Sequence, residues 1–163
     1  MSLASCTLGG GKKVTQDVAP LYSAASPEFR QATGSLLGGN FVAGNKISSL
    51  VNGREIFPAM LSAIRAARRS VNLETYVMWD GVVAKEFSEA LAERAAAGVK
   101  VNVILDAQGT QSMGMDNLSR LRSAGVEVVK YHSILWLDPR RYNNRSHRKL
   151  LIVDGKVGFV GGV

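Results

Sequence analysis

The stretch Arg145–Val163, RSHRKLLIVDGKVGFVGGV, decides how this chain is read. KLLIVD and VGFVGG are apolar runs parted by Asp154-Gly155, a pair that favours a hairpin turn. His147 and Lys149 lie two apart, so on an extended strand both point to one face. An imidazole beside an ammonium suits a phosphate group. The lysine stabilises charge on non-bridging oxygens, while the histidine attacks phosphorus or gives a proton to a leaving oxygen. Both act without metal or cofactor. Asp154 is seven residues from His147, an odd parity that predicts the opposite face and a role in bracing the turn. The bland alternative is a basic edge strand followed by a DG turn.

Upstream, the pattern is one of strands alternating with helices. KISSLVNG predicts a strand ended by Asn52-Gly53, and FPAMLSAIRAARR a helix with Pro58 in its first turn. SVNLETYVMW alternates, with Val71, Leu73, Thr75 and Val77 on one face and Asn72, Glu74, Tyr76 and Met78 on the other. VVAKEFSEALAERAAAG predicts a helix with a stripe of Val83, Phe87, Leu91 and Ala95, closed by Gly98. VKVNVILDA is a strand. MDNLSRLRSAG is a short helix with Met115, Leu118 and Leu121 inward, and VEVVKY a strand. The order, summarised as βαβαβαββ, predicts an α/β fold: a mixed, mostly parallel sheet flanked by helices, with a hairpin at its end. Such sheets place chemistry at the strand ends.

The 163 residues suit one domain, with 46% hydrophobic content and a net charge of +7. That charge favours phosphate-bearing partners: nucleic acid, anionic lipid or phosphodiester substrates. No apolar run is long enough to span a membrane. A single cysteine, Cys6, excludes an internal disulfide and a Cys-based zinc cluster. It lies in LASC, which resembles a bacterial lipobox but lacks a basic and an apolar region before it. Two readings stand: a chance match, or a lipoprotein-type N-terminus whose true start lies upstream. Residues 1–45 form an irregular Gly/Ser/Ala-rich lead-in with a short helix near Pro27 to Leu37, and 46–163 the structured domain. GGGK at 9–12 lacks the spacing of a phosphate-binding loop.

Residues 147–154 match H-x-K-x-x-x-x-D, and the chain resembles the phospholipase D superfamily. With LVNGREIFPAMLSAIRAARRSVNLETYVMW, VKVNVILDAQGT and YNNRSHRKLLIVDGKVGFVGGV, it resembles the first half of bacterial cardiolipin synthase-like enzymes from about Asn45 to Val163. The resemblance implies a phospholipase D-like sandwich, of which this chain is one truncated half of a two-repeat architecture. It implies two motifs facing one pocket, a phosphohistidine intermediate, and phosphatidyl transfer between phosphatidylglycerol-like lipids at a bacterial membrane. His147, Lys149 and Asp154 would be the first motif, and the carboxylate that orients the histidine would lie downstream. Only one motif is present, because His132 lacks a lysine two places on. Partners implied are therefore the missing second half-domain or a second copy of the chain. The alternative within the same chemistry is a homodimeric phosphodiesterase or nuclease. A third reading is a lipid- or phosphate-binding module without catalysis.

Around the motif, Glu74 and Tyr76 share a predicted strand face near the pocket, with a sheet-edge carboxylate paired to arginine as the plainer reading of Glu74. Asn143, Asn144 and Arg145 lead into the histidine, and Asn144 and Arg145 are candidate substrate contacts. Arg140, Arg141, Arg145 and Arg148 form either an electrostatic funnel or a solvated loop. His132 borders the pocket or sits in a loop. Leu135 and Trp136 touch acyl chains or a small local core.

Overall fold

A computed structural model of the chain describes residues 21–39, 41–132 and 145–162. Cys6, GGGK, Leu135, Trp136, Arg140, Arg141, Asn143 and Asn144 lie outside these residues. The chain divides into two units between Ser48 and Ser49. The first contains α1 (Pro27–Leu37), where the sequence predicts it. The Ser26 side chain caps it by accepting from the Phe29 N–H at 3.1 Å, and Gly38 ends it with φ 67°.

The second unit runs α2 (Asn52–Ala66), β1 (Ser70–Thr75), α3 (Val82–Ala96), β2 (Lys100–Asp106), α4 (Met115–Ser123), β3 (Glu127–Tyr131), β4 (Lys149–Val153) and β5 (Val157–Val160). The expected strand at KISSLVNG is absent; residues 46–51 are irregular and α2 begins earlier than predicted. The cause is local capping. The Val51 N–H donates to the Glu55 carboxylate at 2.7 Å, and the Arg54 N–H to the Asn52 side-chain oxygen at 3.1 Å. These bonds satisfy amides that a helix start leaves open. Pro58 consequently lies inside the helix and not in its first turn.

The five strands are ordered β3-β2-β1-β4-β5. β1 pairs in parallel with β2, and β2 with β3; β4 pairs antiparallel with both β1 and β5. The sheet is mixed, as expected, with its pairings divided evenly between the two senses. Both crossovers, through α3 and α4, step in the same direction along the sheet, so both helices lie on one face.

That face is the core. Val71 and Leu73 of β1, Val101, Val103 and Leu105 of β2, and Leu151 and Val153 of β4 are buried against Leu61 and Ile64 of α2, Phe87 and Leu91 of α3, and Leu118 and Leu121 of α4. Two predicted inward residues turn out to face solvent. Met115, at the first position of α4, is 78% exposed, and Val83 is exposed while Ala84 and Ser88 are buried. The buried side of α3 thus sets the small Ala84, Ser88, Ala90 and Ala92 beside the large Phe87 and Leu91. Gly98 and Gly125 adopt φ 86° and 84° after α3 and α4, a conformation glycine tolerates without steric cost. The opposite sheet face carries Asn72 and Asn102, joined by a 2.7 Å hydrogen bond, and the exposed Ile104, Val129 and Val160.

Asp154 and Gly155 turn the chain between β4 and β5 with φ 54° and 66°, and the Lys156 N–H closes the turn onto the Val153 carbonyl at 3.0 Å. Positive φ at both central positions matches the right-handed twist of the flanking strands. The Asp154 carboxylate accepts from the backbone N–H groups of Ser70 (2.9 Å), Arg69 (2.7 Å) and Arg68 (3.0 Å), and its own N–H donates to the Ser70 carbonyl at 2.8 Å. One side chain therefore ties the hairpin to the α2–β1 connection.

The amides of Ser70, Arg69 and Arg68 hold the Asp154 carboxyl below the usual aspartate range. A lowered folded-state value means the stabilisation is complete above the unfolded-chain value and is lost as pH falls through the folded one. Asp154→Ala is therefore expected to lower the melting temperature at neutral pH, with the gap to wild type closing in acid. Melting curves of both proteins across that range check it. Leu151, fully buried, is expected to cost about 2–5 kcal/mol on truncation to alanine, measured by denaturant unfolding.

Candidate functional site

The carboxyl ends of β1, β2 and β3 and the start of β4 meet at one edge of the sheet. The edge collects Glu74 and Tyr76, Asp106, and Tyr131 and His132, and receives Arg145, Ser146, His147 and Lys149 from the strand running the other way. Register explains which side chains converge. Thr75 pairs with Lys149, and Leu73 with Leu151, so Lys149 shares the face of the buried Leu151 and Val153 but lies beyond the core at the open end.

His147 and Lys149 are together. The Lys149 ammonium is 3.2 Å from His147 Nδ1 and 3.1 Å from Nε2, and it donates to the His147 carbonyl at 3.3 Å. The near-equal separations mean that the ammonium addresses both ring nitrogens and is not aligned on one lone pair. The Tyr76 ring packs on the imidazole with centroids 4.9 Å apart, and its centroid is 5.7 Å from the ammonium. His147 is exposed and Lys149 half-buried, so the pair is open to a ligand.

The expectation that Glu74 and Tyr76 share a strand face fails because β1 ends at Thr75. The chain bends there and swings the Tyr76 ring over to His147 and Lys149. Glu74 stays on the opposite face, where one carboxylate oxygen accepts from the Ser146 hydroxyl and the other lies 3.8 Å from the Arg148 guanidinium. Arg148 thus alternates away from His147, as its parity requires.

Asp154 lies at the far end of β4, on the order of 20 Å from His147 at about 3.3 Å per residue. Its carboxylate is engaged with the backbone of Arg68, Arg69 and Ser70. The structure separates it from the pair.

Sequence reasoning overlooked Asp106. It is 0% exposed, and its carboxylate accepts from the backbone N–H groups of Gln108 (2.9 Å), Gly109 (3.3 Å) and Ser146 (3.0 Å). The Arg145 guanidinium, itself largely buried, is 3.9 Å from the same carboxylate, so this candidate substrate contact faces the protein interior. A buried carboxylate needs such partners, since desolvation without them is costly. The available signal was an aspartate ending the apolar strand VNVIL just before a Gly-containing turn. His132 adopts φ 50°, and its ring packs on Tyr131 at 4.2 Å rather than on the His147–Lys149 pair.

Comparison with known proteins agrees with this architecture. Residues 60–163 match the family described as "Cardiolipin synthase, PLD-like domain". Cardiolipin synthase A of Pseudomonas fluorescens is 35% identical over 122 residues, 74% of this chain and 26% of that protein. A probable cardiolipin synthase of Bacillus subtilis is 32% identical over 120 residues, 73% of this chain and 24% of that protein. The chain thus spans about a quarter of the length of these relatives. Among solved structures, NucT from Helicobacter pylori superposes with a TM-score of 0.52 at 22% identity, covering 66% of this chain and 65% of that one, a likeness of fold. The match over most of the second unit, with His147 and Lys149 side by side at the sheet edge, means that the chain belongs to the phospholipase D-like domain family of the cardiolipin synthases.

Proposed function

We propose that this chain supplies one catalytic half-site of a phospholipase D-type phosphatidyltransferase that acts on phosphatidylglycerol-like lipids. The observation that carries the reading is the His147–Lys149 pair, with the ammonium 3.1–3.2 Å from both imidazole nitrogens at an open sheet edge. Lys149 binds the non-bridging phosphate oxygens. An unprotonated nitrogen of His147 attacks phosphorus. A nitrogen–phosphorus bond forms, and the phosphorus–oxygen bond to the leaving alcohol breaks. That oxygen takes a proton from a second acid. An acceptor hydroxyl then attacks phosphorus, loses its proton to the same group, and releases His147. The second group is a histidine of another motif, brought by a second half-domain or by a second copy of the chain. Asp154 contributes by bracing the hairpin.

Support for a lipid substrate comes from the cardiolipin synthase relatives, and the net charge of +7 suits a surface of anionic lipid. The association proposed is peripheral, and among the described residues no helix is long and apolar enough to cross a membrane.

Phosphatidylglycerol vesicles incubated with the protein and analysed by lipid mass spectrometry test this. Cardiolipin and glycerol are expected once a second motif completes the site. Where two copies build it, the chain by itself suffices, with the initial rate rising more steeply than linearly in protein; otherwise they form only when a second half-domain is supplied. Lys149→Ala is expected to slow turnover by roughly 10²–10³-fold, the scale for losing one group that stabilises transition-state charge, and His147→Ala to abolish it. Cleavage of DNA without cardiolipin would assign the half-site to a nuclease. Phosphate binding unaffected by His147→Ala, with no turnover of any phosphodiester, would leave only a binding module.

A further inference from the structure

We infer that Asp106 is a positioning residue for His147, setting both the backbone that carries the imidazole and the ring packed against it. Its importance for catalysis rests on the reading of His147 given above, whereas the geometry does not. The carboxylate reaches in two directions. One oxygen, Oδ2, accepts from the Ser146 N–H at 3.0 Å, on the residue directly before His147. The other, Oδ1, accepts from Gln108 and Gly109 at 2.9 Å and 3.3 Å. Gly109 is the second part of the device. A Cβ built there would lie 1.9 Å from the Tyr76 carbonyl oxygen, so its backbone presses directly on Tyr76. The Tyr76 ring in turn packs on His147 at 4.9 Å. Asp106 therefore holds the histidine from behind through Ser146 and from the side through Gly109 and Tyr76.

Complete burial makes this grip strong. The charge is withdrawn from water, so its stability depends on the donors around it, and a buried network of this kind has few alternative arrangements. Ser146 has a second tie, through its hydroxyl to Glu74. The two carboxylates are not equivalent: Glu74 holds a side chain, whereas Asp106 holds the main chain and thereby fixes where His147 leaves the backbone.

The test reads the position of His147 without requiring turnover. The Tyr76 ring shifts the His147 imidazole proton resonances, and NMR of the full chain measures that shift. In Asp106→Asn the remaining oxygen still accepts from Gln108 and Gly109, but an amide NH2 replaces Oδ2 and meets the Ser146 N–H donor to donor. Ser146→Pro removes that N–H and leaves Asp106 intact. Ser146→Ala removes only the tie to Glu74.

Asp106→Asn and Ser146→Pro are expected to lose most of the ring-current shift while the methyl resonances of Val103 and Leu151 keep their positions. Ser146→Ala is expected to retain the shift. If wild type turns over a phosphodiester, kcat is expected to fall with the shift and KM to change little. If wild type has no activity either alone or with a second half-domain supplied, the catalytic reading fails but the shift still decides the positioning. Where Asp106→Asn does not fold, Ser146→Pro decides. The inference is overturned if the folded variants keep the shift, if Ser146→Ala loses it as fully as Ser146→Pro, or if both disruptive variants unfold, since Asp106 would then brace the whole fold.

Discussion

The site depends on the register of β4 against β1. Antiparallel pairing of Leu73 with Leu151 and Val71 with Val153 buries two side chains of β4 in the core. Because side chains alternate, this choice also fixes the direction of Lys149, and His147 continues on the same side. A slip of one residue would expose Leu151 and turn Lys149 to the other face. Hydrophobic burial thus orients two polar residues that take no part in the core.

The two ends of β4 are anchored by carboxylates with different tasks. Asp154 gathers the amides of Arg68, Arg69 and Ser70 and ties the hairpin to the start of β1. Asp106 gathers those of Gln108, Gly109 and Ser146 and ties the start of β4 to the end of β2. Between them the strand is held at both ends by groups from distant parts of the chain. An aspartate inside the family's motif therefore does structural work, while an aspartate outside it stands nearer the histidine.

Much of this was legible in sequence where the signal is local. The α1 helix announces itself by Ser26-Pro27 and Gly38, the turn by Asp154-Gly155, and the shared face of His147 and Lys149 by their spacing of two. The start of α2 was missed because KISSLV has strand-like composition, while the deciding bonds come from Asn52 and Glu55 just beyond it. The separation of Glu74 from Tyr76 was missed because alternation holds only while the strand continues, and β1 stops at Thr75. Asp106 could not be read as a partner of Ser146, since 40 residues part them and no spacing rule links the two.

The central claim is that His147 is the group that attacks phosphorus, and a covalent adduct tests it most directly. Bis(p-nitrophenyl) phosphate suits this purpose because its leaving phenolate needs no protonation, so a single half-site suffices for the first step. Rapid quenching at alkaline pH followed by peptide mass spectrometry locates the modified residue. The account predicts an acid-labile phosphoryl adduct on His147, absent in His147→Ala and strongly reduced in Lys149→Ala. Release of p-nitrophenol with the adduct on another residue, or unchanged in His147→Ala, would contradict it.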